Sequence, residues 1–276
     1  MLLPVVGFLA IFLVLPLVMM AALSTRLDLR GPLLEPWAPT LEHYISLAET
    51  PIYLRLLLTS AGIAALVAAL TTILAYPLAY FLGLRAGRRA AVLLILLLVP
   101  FWTSYLLRVM AWKLMLGEEG VINSVLLTTG AIGEPLSALL YNRFAVSVTL
   151  VYVWIPFAAL PIIAALQRVD PAVLDAAADL YASPAQQFRR VTLPLSLPGV
   201  IAAFFLVFIP TVGEYVTPLM VGGTSGTMYG NIIQDFFTKA ANWPFGSMLS
   251  VIMLVATLAV AILALRAVDI RRFVEP

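Results

Sequence analysis

A carboxylate inside an apolar stretch is the group in this sequence with the clearest chemical use. Glu214 lies between Gly213 and Tyr215, in the C-terminal half of a long hydrophobic segment. Charged groups within such segments are costly and usually face a pathway or a partner. We therefore expect Glu214 to line a pathway, where a carboxylate favours a cationic solute. The sequence is equally compatible with a hydrated Glu214 near the outer interface, paired with Arg108 or Lys113.

Aromatic side chains could form the walls of such a pathway, because an ammonium group is attracted to the face of an aromatic ring. Taken singly, each is better explained by the enrichment of Trp and Tyr at membrane interfaces. The candidates in the apolar stretches are Trp102, Tyr105, Trp112 and Trp154. The predicted pathway set is Glu214, Tyr215, Trp102, Tyr105 and Trp154.

Two other charges near the apolar stretches have simpler interpretations. Arg108 interrupts an apolar run and cannot easily lose its charge, so we expect it to reach the outer headgroups or an acidic partner. Asp235 lies in an outer segment, where exposure is favoured over contact with a binding protein.

Covalent, metal and nucleotide chemistry have no basis in the sequence. It contains no G-x-x-x-x-G-K-[ST] phosphate loop, no nucleophile elbow and no paired-carboxylate site. It has no cysteine, and His43 is its one histidine, so thiolate chemistry and histidine metal clusters are excluded. Its basic residues are scattered rather than gathered in a nucleic-acid-binding patch. We expect a protein that is not an enzyme and takes no metal, cofactor or nucleic acid.

The composition is that of a membrane protein. Hydrophobic residues make up 63% of the chain and charged residues 11%, whereas soluble domains carry about 25% charged residues. A membrane helix needs about 20 mostly apolar residues, and six stretches qualify. They are Pro4 to Leu23, Leu56 to Leu84 with a kink expected at Pro77, Ala90 to Trp112, Ala145 to Leu166, Gly199 to Met220, and Met248 to Ala267.

Basic residues close to the helix ends predict the orientation. The compact run 85–89 and the pair at 271–272 are both basic, which favours a cytoplasmic location for both termini. The first stretch lacks a basic n-region and is longer than a typical signal-peptide core, so we expect a retained helix rather than a signal peptide. The outer segments are then 24–54, with a short helix after Thr40; 114–144; and 221–247, with an amphipathic helix that rests on the bundle or touches a partner.

The polar segment between the fourth and fifth stretches, residues 167–200, is predicted to form a rigid elbow. Asp170 before Pro171, and Ser183 before Pro184, are both helix-start signals. Gln186 stands three residues after Ser183 and completes a capping box. We expect two short helices, about 171–181 and 184–191. Two prolines, Pro194 and Pro198, are expected to end the elbow before Gly199 opens the fifth membrane helix.

The second elbow helix presents Phe188 between charged neighbours, Arg189 and Arg190. A short helix with an exposed aromatic residue and charged edges suits docking into a groove of another protein. The alternative is a re-entrant or interfacial helix that packs on lipid headgroups.

This elbow resembles the EAA loop of the permeases of binding-protein-dependent ABC importers. Asp175-Ala176-Ala177 falls on the EAA triplet, and Val191, Leu193 and Pro194 fall on the end of the motif. The sequence departs from the motif at Asp175, which replaces Glu, and at Tyr181, which replaces a glycine at the bend. Tyr181 must find an ordinary turn or bear strain. The resemblance implies that the loop couples to a cytoplasmic ATPase through Asp175, Ala176, Ala177, Tyr181, Ser183, Phe188, Arg189, Arg190, Leu193 and Pro194.

Segments 99–127 and 213–251 resemble the permeases of spermidine/putrescine importers, and the similarity covers about residues 52–268. The implied fold is an all-α membrane protein of the type I ABC importer permease class, with six transmembrane helices and the coupling loop between helices four and five. The implied division is a first helix and outer loop over 1–51, the permease domain over 52–268 and a cytoplasmic tail over 269–276.

The resemblance also implies partners and a location. They are a dimer of cytoplasmic ATP-binding subunits, a second and homologous permease, an extracytoplasmic solute-binding protein and the lipid of a bacterial inner membrane. The solute is expected to be a polyamine. Alternatives are an opine, an amino-acid derivative, iron or thiamine. A stand-alone secondary transporter is disfavoured, because we find no inverted repeat in the sequence.

Overall fold

The computed structural model describes residues 7–27 and 38–267, and the regular secondary structure within these ranges is helical. The principal helices are α1 (Gly7–Leu23), α2 (Glu42–Glu49), α3 (Pro51–Tyr80), α4 (Ala90–Leu98), α5 (Tyr105–Leu116), α6 (Val121–Thr128), α7 (Arg143–Leu166), α8 (Pro171–Asp179), α9 (Pro184–Gln187), α10 (Leu193–Val212), α11 (Tyr229–Thr238) and α12 (Trp243–Ala267). Short π or 3-10 turns occur at Phe81–Arg85, Gly87–Arg89, Val99–Trp102, Ser137–Leu139, Phe188–Thr192 and Pro218–Gly222.

Four helical stretches in the described ranges are long and apolar enough to cross a membrane, or five when one bent pair is taken as a span. The four are Pro51–Arg85, Arg143–Leu166, Pro184–Val212 and Trp243–Ala264. They correspond to the second, fourth, fifth and sixth predicted stretches. The first predicted stretch begins outside the described residues, and its described part, α1, is a shorter apolar helix. The kink expected at Pro77 does not interrupt α3, which runs through that residue.

The third predicted stretch, Ala90 to Trp112, is broken rather than straight. The helical stretch that ends at Trp102 and the one that starts at Tyr105 meet at 84°. Between them Thr103 is extended, with ψ 153°. The Thr103 hydroxyl donates to the Pro100 carbonyl at 2.6 Å, a local bond that competes with continuation of the helix. An apolar run alone does not show such a break.

Helices α9 and α10 are parts of one 29-residue helix, joined by the π turn Phe188–Thr192. The predictions that Pro194 ends the elbow and that the membrane helix begins at Gly199 are therefore wrong. Pro194 has no backbone donor, and its ring would crowd the preceding α-helical turn. The wider π turn before Pro194 relieves that crowding, so the helix continues.

The same long helix ends at Val212, and Gly213–Tyr215 is not helical before the π turn Pro218–Gly222. The predicted continuous span to Met220 is thus wrong at its C-terminal end. Gly213 is a poor helix former, and the prolines on either side of it, Pro210 and Pro218, remove backbone donors. The interruption places Glu214 on non-helical backbone.

The described chain divides into two compact units. The first contains the described residues up to Ser60, together with Val212–Tyr215 and Met228–Ile262. The second contains Ala61–Thr211, Val216–Thr227 and the described residues from Leu263 onward. Fully buried apolar side chains form a core in each: Met228, Met248 and Leu249 in the first, and Val67, Leu150, Ile162, Leu166 and Val207 in the second.

Close packing within the second unit fixes the N-terminal half of α10 against α7. A Cβ at Gly199 would lie 2.6 Å from both the Pro161 carbonyl oxygen and the Ala165 Cβ. Only glycine permits this approach. The helix that carries the elbow therefore packs backbone to backbone on α7.

Candidate functional site

The first elbow helix, α8, starts as the sequence predicts. The Asp170 carboxylate accepts a hydrogen bond from the Ala172 N–H at 2.9 Å, and Pro171 occupies the first helical position. The cap satisfies one of the four backbone donors that a helix start leaves unpaired. The start of the elbow is thus fixed by local sequence alone.

The bend of the elbow is a Schellman motif centred on Tyr181. The Tyr181 N–H donates to the Ala178 carbonyl at 2.8 Å, and the Ala182 N–H donates to the Ala177 carbonyl at 3.1 Å. Tyr181 has φ of 60°, the left-handed conformation that this motif requires and that glycine usually supplies. Tyr181 therefore adopts the conformation that a glycine would take without strain and bears the strain itself.

The bend also carries the most exposed apolar side chains of the elbow. Leu180 is 81% exposed and Tyr181 is 96% exposed. Both belong to the turn after α8, where the chain reverses. They form the projecting tip of the elbow.

The second elbow helix, α9, begins with the predicted capping box. The Ser183 N–H donates to Gln186 Oε1 at 2.9 Å, and the Gln186 N–H donates to Ser183 Oγ at 3.3 Å. One residue later, Gln187 Nε2 donates to the Leu174 carbonyl at 3.4 Å. This bond ties the start of the long helix back to α8, so the two arms of the elbow are connected.

Phe188 lies half-buried, which differs from its predicted role as an exposed knob. Its ring meets those of Tyr76 at 5.6 Å and Tyr80 at 6.2 Å, both edge to face. The Tyr76 hydroxyl shares a hydrogen bond of 2.8 Å with the hydroxyl of Ser196, which is fully buried. Phe188 therefore connects the elbow to the C-terminal half of α3, and Tyr76 connects α3 to α10.

The polar side of the elbow is basic. Arg189 and Arg190 are exposed. With Ala185 and Gln186, they line an open pocket of about 410 Å³. Two guanidinium groups at a solvent-facing pocket suit an acidic side chain of another protein.

The break that holds Glu214 is braced from α11 within the first unit. A Cβ on Gly230 would lie 2.5 Å from the Gly213 carbonyl oxygen and 2.7 Å from that of Glu214. Asn231 Nδ2 donates to the Tyr215 carbonyl at 2.8 Å, and Asn231 Oδ1 accepts from the Met228 N–H at 3.0 Å. The start of α11 thus replaces part of the hydrogen bonding that the interrupted helix loses.

Helix α11 is itself firmly anchored. The Tyr229 N–H donates to Ser60 Oγ at 2.8 Å, and the Tyr229 hydroxyl donates to the Leu249 carbonyl at 3.3 Å. Burial raises the pKa of the Tyr229 hydroxyl, which keeps that donor protonated. Phe236 packs against Phe245 at 4.6 Å, so the predicted amphipathic helix rests on its own unit. At its exposed end, Lys239 pairs with Asp235 at 2.8 Å.

The aromatic pathway candidates lie in the second unit, whereas Glu214 and Tyr215 lie in the first. Trp102 is 80% exposed at the 84° bend. The Tyr105 hydroxyl shares a 2.6 Å hydrogen bond with the Thr217 hydroxyl. Trp154 packs on Phe157 at 5.5 Å, and its buried indole nitrogen finds no acceptor among the described residues.

Arg108 folds back onto the protein instead of reaching outward. Its guanidinium carbon lies 4.3 Å from the centre of the Phe101 ring. Its Nε and one terminal nitrogen are buried and find no acceptor in the described part of the chain. Cation–π attraction offsets some of the cost of that burial.

This chain is similar to known transport proteins over nearly its whole length. The model of the family described as binding-protein-dependent transport system inner membrane component matches residues 2–276. This chain is a member of that family. The permease is 34% identical over 253 residues to the spermidine/putrescine transport system permease protein PotB of Escherichia coli K12, covering 91% of this chain and 90% of that protein. Identity to PotB of Haemophilus influenzae is 33% over 212 residues, covering 77% and 73% of the two chains.

The fold of the permease also has a counterpart among solved structures. One is the crystal structure of a bacterial alginate ABC transporter in complex with an alginate pentasaccharide-bound periplasmic protein. A chain of that structure superposes with a TM-score of 0.76 at 15% identity, covering 100% of this chain and 94% of that one. The predicted type I permease fold and the predicted role as an ABC importer permease are confirmed. The protein is thus a multi-pass component of a bacterial inner-membrane importer.

Several residues that shape the permease were not predicted from the sequence. Tyr76 and Ser196 join α3 to α10 across 120 positions of sequence. Gly230 and Asn231 brace the Glu214 break from a separate helix. No local sequence pattern marks these pairs.

Proposed function

We propose that this permease moves a cationic solute of the polyamine class, such as spermidine or putrescine, into the cytoplasm. The observation that carries the proposal is the similarity to PotB, which spans 91% of this chain. Polyamines are flexible chains of ammonium groups, so a path for them needs carboxylates and aromatic faces.

Glu214 is the residue proposed to meet the solute. It is half-buried and stands on a broken helix, an arrangement that transporters use at their binding sites. The close approach of Gly230 fixes the backbone that carries the Glu214 side chain. Tyr215, Trp102, Tyr105 and Trp154 complete the proposed pathway set.

The elbow is proposed to receive the motion of a partner ATPase. Leu180 and Tyr181 project as an apolar tip, and Arg189 and Arg190 offer charge at its side. Movement of the elbow would pass through Phe188 to α3 and along the continuous helix to α10. The loop residues proposed to take part are Asp175, Ala176, Ala177, Tyr181, Ser183, Phe188, Arg189, Arg190, Leu193 and Pro194.

This mechanism assigns ATP hydrolysis to partners. We propose two ATP-binding subunits in the cytoplasm, a second homologous permease, and an extracytoplasmic protein that delivers the solute. Both termini of this chain are proposed to be cytoplasmic, with a first helix and outer loop over 1–51, the permease domain over 52–268 and a tail over 269–276.

A second candidate solute is an amino-acid derivative, one of the alternatives that the sequence leaves open. The observation that favours it is Arg108, whose buried Nε and one buried terminal nitrogen find no acceptor within the described residues. A fully protonated polyamine has no acceptor to offer, whereas an amino-acid derivative carries a carboxylate.

ATP hydrolysis by the reconstituted importer tests the proposal. The assembly contains this permease, the second permease, the ATPase and the binding protein. Spermidine or putrescine is expected to stimulate hydrolysis. Because a hydrogen bond to a charged group contributes about 1.5–3 kcal/mol, Glu214→Gln should raise the half-saturating concentration by roughly 10- to 100-fold.

Glu118→Gln is the matched control, because Glu118 is an exposed carboxylate of the outer segment. It should leave the half-saturating concentration unchanged. Stimulation by an amino-acid derivative without stimulation by polyamines would overturn the proposed solute class and favour the second candidate.

A further inference from the structure

The second unit has an apolar groove along the membrane-spanning parts of α3 and α7. Its volume is about 680 Å³. On one side it runs from Ile63 to Leu74, and on the other from Arg143 to Ile155, with Trp112 of α5 beside it. Several of the aliphatic side chains along it are exposed, including Leu66, Leu70 and Leu74. Something apolar must cover this surface in the membrane.

The length of the groove matches one leaflet of a bilayer. The helical rise of 1.5 Å per residue makes the step from Ile63 to Leu74 about 16 Å long. The hydrocarbon core of a bilayer is about 30 Å thick. A transmembrane helix of another subunit would run through both leaflets, whereas an acyl chain ends at the middle.

One end of the groove is positively charged. Arg143 is the first residue of α7, where the aligned peptide dipoles also favour an anion. Its Nε donates to the Ser225 carbonyl at 2.9 Å, which fixes the exposed guanidinium at the mouth of the groove. Nearby, Lys113 lies 5.6 Å from the ring centre of Tyr141, which places a second cation close to the start of α7.

We propose that an anionic phospholipid occupies this groove, with its phosphate at Arg143 and an acyl chain along Leu66 and Leu70. The other end of the groove is apolar, as the end of an acyl chain requires. A groove with one cationic end, and with an apolar length equal to about one leaflet, favours an anionic lipid over a zwitterionic one. The lining of the groove includes none of the residues proposed for the solute pathway or the elbow, so the proposal stands whatever the solute is.

Lipid retention by the purified importer tests the site. The intact complex is extracted in mild detergent from membranes containing phosphatidylglycerol and phosphatidylethanolamine, and bound lipids are counted by native mass spectrometry. Wild type is expected to retain phosphatidylglycerol preferentially. Arg143→Gln should lower the retained phosphatidylglycerol severalfold, and Arg143→Lys should restore most of it.

Two further variants sharpen the result. Arg55→Gln removes an exposed arginine of α3 that does not line the groove, and it should retain the wild-type amount. Val148→Phe fills the trough and should lower retention with Arg143 intact. The proposal is overturned if Arg143→Gln keeps the wild-type lipid ratio, or if Val148→Cys is oxidised to a disulfide with a cysteine introduced into a transmembrane helix of another subunit.

Discussion

Tyr181 holds a backbone conformation that costs a residue with a Cβ about 1–2 kcal/mol relative to the right-handed region. Its φ is 60°, and its side chain is 96% exposed. Side-chain contacts of Tyr181 within the described chain therefore do not compensate for the strain. A strained residue with an exposed aromatic ring, at the tip of a loop, is consistent with a surface that gains its contacts from a partner.

Replacing Tyr181 with glycine should stabilise the permease. Glycine removes the strain but adds freedom to the unfolded chain, so we expect a net gain of up to about 1 kcal/mol. Thermal unfolding of the purified subunit in detergent measures it. Tyr181→Ala is the control, because alanine keeps the Cβ and should show no gain. Equal stability of the two variants would contradict the assignment of strain.

Replacing Gly230 with alanine should disturb the Glu214 break. The new Cβ would lie 2.5 Å from the Gly213 carbonyl oxygen, so one backbone segment must move. We expect a loss of about 1–3 kcal/mol, together with weaker solute-stimulated ATP hydrolysis. Gly62→Ala is the control, because a Cβ there meets no atom within 4 Å. A Gly230→Ala variant that behaves like Gly62→Ala would argue against the brace.

Hydrogen bonds between residues close in sequence were predicted from the sequence, and hydrogen bonds between residues far apart in sequence were not. The caps at Asp170 and Ser183 follow from residue type and spacing, because a cap contacts the backbone only two or three positions away. The bond between Asn231 and Tyr215 joins α11 to the non-helical break that lies 16 positions earlier in the chain. Its partners are chosen by tertiary packing, which a single sequence does not reveal.

At the scale of elements, the elbow and two membrane helices form a connected set. Phe188 touches Tyr76 and Tyr80 of α3, and Tyr76 shares a hydrogen bond with Ser196 of α10. Edge-to-face aromatic pairs contribute about 0.5–1.5 kcal/mol each beyond the area they bury. The elbow is thus joined to two helices and not to one.

Phe188→Ala should uncouple the elbow without releasing the ATPase. Removing the ring deletes both aromatic contacts, while the exposed tip at Leu180 stays in place. We expect the ATPase to co-purify as before and solute stimulation of hydrolysis to fall severalfold. Leu180→Ala should instead reduce the amount of ATPase that co-purifies, while the thermal stability of the permease subunit is unchanged. Loss of ATPase binding in Phe188→Ala alone would assign docking to Phe188.

The existence of the long helices was predictable, and their interruptions were not. A continuous apolar composition identifies residues that tolerate lipid. The composition is equally apolar on both sides of the Thr103 bend and of the Gly213 break, so it does not reveal either interruption. Pro100, Pro210 and Pro218 were visible signals near these breaks. Pro77 was an equally visible signal, yet α3 runs through it. Whether a proline ends a helix is decided by its surroundings.

For the whole molecule, composition alone established a multi-pass membrane protein, because 11% charged residues cannot cover a water-soluble surface. The resemblance to the family came from the elbow, a polar segment between two apolar stretches of the sequence. The proposed orientation of the chain in the membrane depends on a weaker signal, the distribution of basic residues near the helix ends.

The absence of cysteine from the chain offers a direct test of orientation. Asp179→Cys at the end of α8 and Thr129→Cys after α6 both replace exposed residues. With a membrane-impermeant maleimide, intact spheroplasts should label Thr129→Cys and not Asp179→Cys. Inverted vesicles should give the opposite result. Labelling of Asp179→Cys in intact spheroplasts would reverse the proposed topology.

The π turn Phe188–Thr192 lies between the elbow tip and α10. The direction in which the tip faces around the helix axis therefore depends on the number and conformation of the residues in between. A π turn closes over one residue more than an α-helical turn, and each residue of an α-helix advances about 100° around its axis. Deleting one residue from this turn would let the helix become regular and leave the tip at Tyr181 facing nearly its present direction, because the five residues of the turn complete about the same rotation as four α-helical residues. Deleting one residue from the α-helical part of α10 would instead swing the tip about 100° around the helix axis. Every side chain of the tip would survive that second deletion, yet the tip would face a different direction. Alignment between this permease and a partner is therefore encoded by the number of α-helical residues in α10 as much as by the chemistry of its surface.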